Sequence, residues 1–329
     1  MDRTGKLVDL ILKLAFESAA PEIKTLVGHR WPDDDTLFCL WLAKKFIPNA
    51  TDAKIVFVNA GKTLPGSDND ASVLHFDTGG GDFDQHNKNL KKTSSASILV
   101  EKMGWDDPGL QPLLDMVTAT DNIEPQPKTS IHFIIEGYPR KFRNPDKTID
   151  WPLVIDRTFE LFDIIYDQEV QRIQSQKSLR THAGISLLPN GIKLTSILGY
   201  PSLREAAFED GADVVVWTEN RGEKRFHTGI QVNRNSDLVL TKVAALLRER
   251  EARSRGINAQ GKNLMYAGKD DVDAGVWYLH DSSLRLILNG SRSYLPVKEE
   301  YTRLSPGDII QITIQALGKI PREVVSRWK

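Results

Sequence analysis

Apolar residues along this chain come in short runs separated by polar loops, and the period of each run predicts its element. Lys24–Val27 reads as the end of a short strand, and the dense apolar stretch Thr36–Phe46 (TLFCLWLAKKF) predicts a buried helix. Val73–Phe76 is a short β-type run, and Leu113–Thr120 is a further apolar run that ends on Asp121. From Ile155 the apolar positions recur at helical spacing through Phe159, Phe162, Ile165, Tyr166, Val170 and Ile173, which predicts a long helix. Beyond it lie β-type runs at Asp213–Thr218, Phe226–Val232, Val276–His280 and Leu284–Leu288, divided by a helix over Leu238–Arg253. A final helix opens at Ser305-Pro306-Gly307-Asp308, a capping-box spacing with proline at the first helical position.

Polar positions between the runs carry the chemistry. Directly after the first run, HRWPDDDTL sets His29 and three consecutive carboxylates, Asp33, Asp34 and Asp35, on one loop. Adjacent acids repel, so such a cluster is either solvated or offset by a cation or by donors. A solvated, capped turn with Asp35 as the helix N-cap is one reading and a metal site is the other. A second cluster follows the Val73 run, with Asp77 at its end, then Gly79, Gly80 and Gly81, then Asp82, Asp84 and His86. These glycines lack the Gly-Lys-Ser/Thr of a nucleotide loop. Asp121 again stands at the end of an apolar run, the pattern expected of several strands delivering ligands to one point. Carboxylates mixed with imidazole favour manganese, zinc or iron over calcium.

Together these segments resemble the DHH phosphoesterases. His29, Pro32, Asp33 and Asp35 match the first motif of that family, Asp77 the second, Asp84-Gln85-His86 the third and Asp121 the fourth; Ser94 and Ser95 resemble the family's serine-led helix. DTGGGDFDQHN, SSAS and ATDN look most like the exonucleases named after the melanocyte proliferating gene, while HRWPDDD looks more like the RecJ and oligoribonuclease branches. The resemblance covers roughly residues 24 to 125. It implies a first metal held by His29, Asp33 and Asp77. A second would be held by Asp35, the bridging Asp77 and Asp121, with Gln85 as a poor fourth ligand or His86 in its place. Asp84 and His86 would be the catalytic residues, and the ions one or two Mn2+, or Mg2+ or another divalent metal. The family's usual histidine is replaced by Gln85, a weaker donor.

Composition sets the remaining bounds. A chain of 329 residues with 40% apolar content suits two soluble cores. The expected class is α/β, a DHH-type domain with a central, largely parallel sheet flanked by helices, then a smaller mixed α/β domain. The expected division is residues 1–150 for the metal-binding catalytic domain, 151–180 for a connecting helix and 181–329 for a substrate-binding domain. EPQPK at Glu124–Lys128 closes the motif-bearing segment, and Pro139–Pro152 reads as a polar loop with turn signals. Residues 1–150 hold 18 Lys and Arg against 22 Asp and Glu, the remainder 25 against 22, and arginine rises from 4 to 16. Acids in one half and guanidiniums in the other suit a phosphate-bearing substrate, such as an RNA or DNA oligonucleotide. Arg225, His227 and Arg234 in GEKRFHTGIQVNR are the candidate substrate contacts, with Arg225 and His227 on one face of a strand. The GGGH loop of many DHH accessory domains is missing after Asp150. Cys39, the single cysteine, sits in an apolar helix as a buried, inert thiol. No apolar stretch reaches the roughly 18 residues that span a bilayer. MDRTGKLVDLILKLAF reads as an amphipathic helix rather than a signal peptide, so a cytoplasmic setting is expected.

Two functions remain open: a metal-dependent phosphoesterase or nuclease, and a DHH-like protein that binds nucleotide or nucleic acid through an eroded site.

Overall fold

The computed structural model describes residues 22–67, 70–86, 92–220, 222, 226–260, 262–266, 276–290 and 301–321. Arg225 and the segment MDRTGKLVDLILKLAF lie outside the described residues. The chain is α/β and forms two compact units, residues 1–171 and 172–329, which divide inside its longest helix.

In the first unit, strands β1 (Thr25–His29), β2 (Lys54–Val58) and β3 (Val73–His75) form a parallel sheet with β1 in the centre. Parallel strands need crossovers, and helix α1 (Asp34–Phe46) supplies the one between β1 and β2. Asp33 caps α1, accepting from Thr36 N at 3.0 Å, while Asp34 and Asp35 in its first turn and Lys44 and Lys45 in its last complement the helix dipole. The N-cap is therefore Asp33, not Asp35, because the turn starts two residues earlier and leaves Asp35 inside the helix. Helix α1 is buried from Asp34 through Ala43, as its all-round apolar sequence dictates, against β1, α2 (Ser95–Met103) and α3 (Gln111–Asp121). Phe38, Leu40, Leu42, Leu74, Phe76 and Leu99 form the core there, each contributing roughly 1.5–3 kcal/mol.

The run Leu113–Thr120 is helical rather than a strand. Leu113 and Val117 are its buried residues, a four-residue spacing that marks one helix face, and Pro112 lies in the first turn. The elements that carry the candidate residues thus differ in kind: His29 ends a strand, Asp35 sits in a helix, and Asp121 ends another helix. Part of the expected loop at Pro139–Pro152 is also helical. Helix α4 (Ile131–Lys141) contains Pro139, two residues before its end, and α5 (Trp151–His182) begins at Trp151.

The second unit has a six-stranded sheet in the order β4-β5-β6-β7-β9-β8. Its strands are β4 (Ala183–Leu187), β5 (Lys193–Leu198), β6 (Val214–Asn220), β7 (Phe226–Val232), β8 (Tyr278–Leu279) and β9 (Leu286–Asn289). Only β5 and β6 pair in parallel. Strand alternation separates two cores: Val214 and Val216 pack with Ile230, Leu247 and Ile312, while Val215 and Trp217 pack with Leu203 and Ala207. Helices α6 (Arg204–Glu209), α7 (Thr241–Ser254) and α8 (Pro306–Gly318) complete the unit, and Ser305 and Asp308 form the expected capping box of α8.

Among the described residues no helix is long and apolar enough to cross a membrane.

Candidate metal centre

The ends of β1 and β3 place His29 and Asp77 side by side, since β1 and β3 pair in register from Thr25↔Val73 to Val27↔His75. The Nδ1 of His29 meets the Arg30 carbonyl at 3.0 Å, which turns Nε2 toward Asp77 Oδ2 at 3.1 Å and Asp33 Oδ2 at 3.7 Å. Burial alone would lower the His29 pKa. Its hydrogen bonds with Asp33 and Asp77 outweigh that and push it up to about 10. Asp33 is held below its usual value by the same histidine against the opposing effect of burial.

Asp77 is buried and adopts a left-handed backbone (φ 55°), a conformation aspartate tolerates better than most residues. Phe76 N donates to Val27 O, Asp77 N donates to Phe83 O, and the Phe76 and Phe83 rings stack at 5.5 Å, so the glycine loop returns to its starting point. Thr36 Oγ1 donates to Asp77 Oδ2 at 2.7 Å. Gly28 makes that contact possible: a Cβ there would lie 2.5 Å from Thr36 Cγ2. The other oxygen, Oδ1, is buried, accepts no hydrogen bond, and has His86 Nε2 3.3 Å away.

Asp84 is buried and fixes the loop, accepting from Gly80 N at 2.7 Å and from His86 N at 2.9 Å. His86 itself is exposed. Gln85 faces Asp121 and Ser95. Its Nε2 donates to both oxygens of Asp121, at 3.1 and 3.3 Å, and its Oε1 accepts from Ser95 Oγ. The resemblance implied a donor at Gln85; the carboxylate of Asp121 attracts its NH2 instead, leaving the amide oxygen to Ser95.

Asp35 is tied into the protein on both oxygens. Both its oxygens accept backbone N–H groups at the start of α2, from Ser95 at 2.7 Å and Ala96 at 2.9 Å. Those are orphan donors of a helix N-terminus, and Ser94 Oγ takes the next, from Ser97. Burial, followed by the nearby charge of Asp77, nevertheless raises the Asp35 pKa well above the usual carboxylate range. Burial and then Asp77 likewise push Asp121 up to about 6.

Among the described residues two sets of side chains bring ligand atoms within 4.8 Å of one another: His29, Asp33 and Asp77, and Asp77, Asp84 and His86. Asp77 belongs to both, while Asp35, Gln85 and Asp121 fall outside them. Nitrogen and carboxylate donors around a buried oxygen that accepts no hydrogen bond make a donor set able to hold a divalent cation.

The sequence does not announce the partner of Asp34. Asp34 is buried and pairs with His132 Nδ1 at 2.7 Å, and burial raises its pKa although His132 opposes the shift. His132 sits 98 residues away in sequence, on α4. Only the spacing His132, Glu136, Arg140, one face of a helix, could have signalled it. Of the second-unit candidates, His227 is buried rather than presented for substrate, its ring stacked on Tyr301 at 6.0 Å and facing Glu219 across β6. Arg234 is exposed after β7, its carbonyl accepting from Arg285 Nη1 at 3.2 Å.

A family model described as ChrB, C-terminal domain, matches residues 27–168, less than half of the chain. No curated protein matches. A solved structure described as the DHH domain of a member of a family of ribosomal proteins aligns at 11% identity with a TM-score of 0.31, covering 98% of this chain and 93% of that one. A likeness of that degree carries no argument about activity, and the family model that matches is ChrB rather than DHH.

Proposed function

We propose that the first unit is a metal-dependent phosphoesterase of the DHH type that hydrolyses phosphodiester bonds, with short RNA or DNA oligonucleotides as substrates. The observation that carries this reading is Asp77, a buried carboxylate shared by both candidate ligand sets whose Oδ1 accepts no hydrogen bond. His29, Asp33 and Asp77 are assigned to one Mn2+ or Mg2+ ion, and Asp77 with Asp84 and His86 to a second, weaker position. Divalent cations so held would polarise a phosphoryl oxygen and lower the pKa of water. Thr36 orients Asp77 through its hydroxyl, and Asp84 holds the glycine loop closed. Where no second ion is bound, His86, exposed beside Asp77, would instead be free to pass a proton to the departing oxygen. The second unit is assigned to substrate binding, with Arg234 and Arg225 as its phosphate contacts. A cytoplasmic setting belongs to the same proposal.

The test is a hydrolysis screen. Purified protein with Mn2+, Mg2+ or neither is offered short RNA, short DNA, dinucleotides and pyrophosphate. Metal-dependent cleavage of at least one phosphodiester is expected, and its absence throughout would overturn the assignment.

Gln85 and Asp35 favour one alternative, nucleotide binding without turnover, because both are committed to hydrogen bonds within the protein. Gln85→His separates the two. Under the enzyme reading the change alters the metal dependence of existing cleavage, whereas under the binding reading the native protein cleaves nothing and the variant gains activity.

A further inference from the structure

A cavity of about 360 Å³ lies next to the acid cluster, between the start of α1, the end of α3 and one face of α4. We propose that it is the subsite for the aromatic base of a nucleotide whose phosphate lies at the metal centre; this rests on the phosphoesterase reading above.

Trp31 is the first observation. It lines the cavity, is 62% exposed, and has φ of 62°. That backbone is unfavourable for a bulky residue and doubly so before a proline, which biases its predecessor toward extended conformations. Strain of this kind persists only where the surroundings impose it, and Trp151 braces the indole edge-to-face at 5.6 Å. An exposed ring braced beside a cavity can serve as a stacking platform.

The walls are the second observation. Leu37, Ile135 and Val154 supply an apolar lining sized for one small aromatic group. The polar groups are mostly acidic, Asp33, Asp34, Asp35, Asp121 and Glu136, so a phosphate would be repelled there while an uncharged base would not. Along α4, Glu136 and Arg140 give one acceptor and one donor for the edge of that base.

The experiment compares adenosine and guanosine monophosphates with ribose 5-phosphate, which lacks only the base, by calorimetry on the whole protein in Mn2+. The native protein should bind the nucleotides at least about tenfold more tightly, and Trp31→Ala should erase most of that preference while Trp31→Phe retains it. Equal affinity for nucleotide and ribose 5-phosphate in the native protein, or no binding of either, would overturn the base subsite. Failure of the phosphoesterase reading shows separately, as the absence of hydrolysis in the screen. A Trp31-dependent nucleotide preference would support the subsite even then.

Discussion

Buried charge occurs in both units, and the two cases are built oppositely. In the second unit Arg248 is 2% exposed, and its guanidinium donates to the carbonyls of Trp277, Leu264 and Met265. Glu251, fully buried, accepts from Arg255 Nε at 2.8 Å, Arg303 N at 3.0 Å, Trp277 Nε1 at 3.3 Å and Thr302 Oγ1. Donors match acceptors, so that network stands by itself. In the first unit Asp33, Asp35, Asp77 and Asp121 converge with His29 and His86 as the imidazoles beside them, and two of the acids have raised pKa values. A fold arranged for stability alone would not gather carboxylates so. The surplus of negative charge in one unit, against its balance in the other, is what singles out the functional site.

Substitutions can break this contrast. Asp77→Ala should have the largest effect, a loss of about 100-fold or more in Mn2+ affinity, beyond the 10- to 100-fold usual for removing a supporting group. Calorimetric titration with Mn2+ measures it, and unchanged affinity would refute the shared-ligand assignment. Glu251→Ala should destabilise the protein by about 3–5 kcal/mol, because it removes the buried carboxylate shared by Arg255, Trp277, Thr302 and the Arg303 amide. Urea unfolding reads this, and a change under 1 kcal/mol would deny that the second network is structural.

Smaller effects sharpen the comparison. Gly28→Ala forces Thr36 away from Asp77 and should cost about 1–3 kcal/mol together with some metal affinity. A variant as stable as the native protein, with Thr36 unmoved, would show that the strand has room to spare. Asp121→Asn should do the reverse and stabilise the metal-free protein. The folded pKa of about 6 lies above the ordinary 3.8, so the stabilising contribution of Asp121 is complete below 3.8 and is lost as pH rises through 6. At pH 7 the amide should therefore gain about 1 kcal/mol, a figure discounted for the partial exposure of the group. Melting curves at pH 7 and pH 4 test the sign, since the gain should shrink at the lower pH.

How much of this was legible in the sequence follows the range of the forces involved. Local signals located β1, α1, β3, α2 and the capping box of α8, because apolar period and caps lie within a few residues. The resemblance to the DHH motifs, rather than any local period, named His29, Asp33 and Asp77 as one group. Leu113–Thr120 misled because a short apolar run does not declare its period without its flanks, and Pro139 concealed α4 by suggesting a loop. The strands β2, β4 and β5 carry no acid at their ends to draw notice. The rotation of Gln85 toward Asp121 spans 36 residues and depends on a neighbour's charge, which no local pattern encodes. The pairing of His132 with Asp34 is longer still.

Asp35 has a consequence for how the presence of an acid in such a site should be weighed. Its carboxylate joins the start of α1 to amides 60 residues further along, so closing that link means bringing a long stretch of chain together. Removing it would leave two buried N–H groups without acceptors, whatever chemistry the protein performs. A related chain with no catalytic activity would be under the same pressure to keep this aspartate in order to fold. Its survival is testimony about architecture, whereas a loss at Asp77 or His29 would report a change of trade.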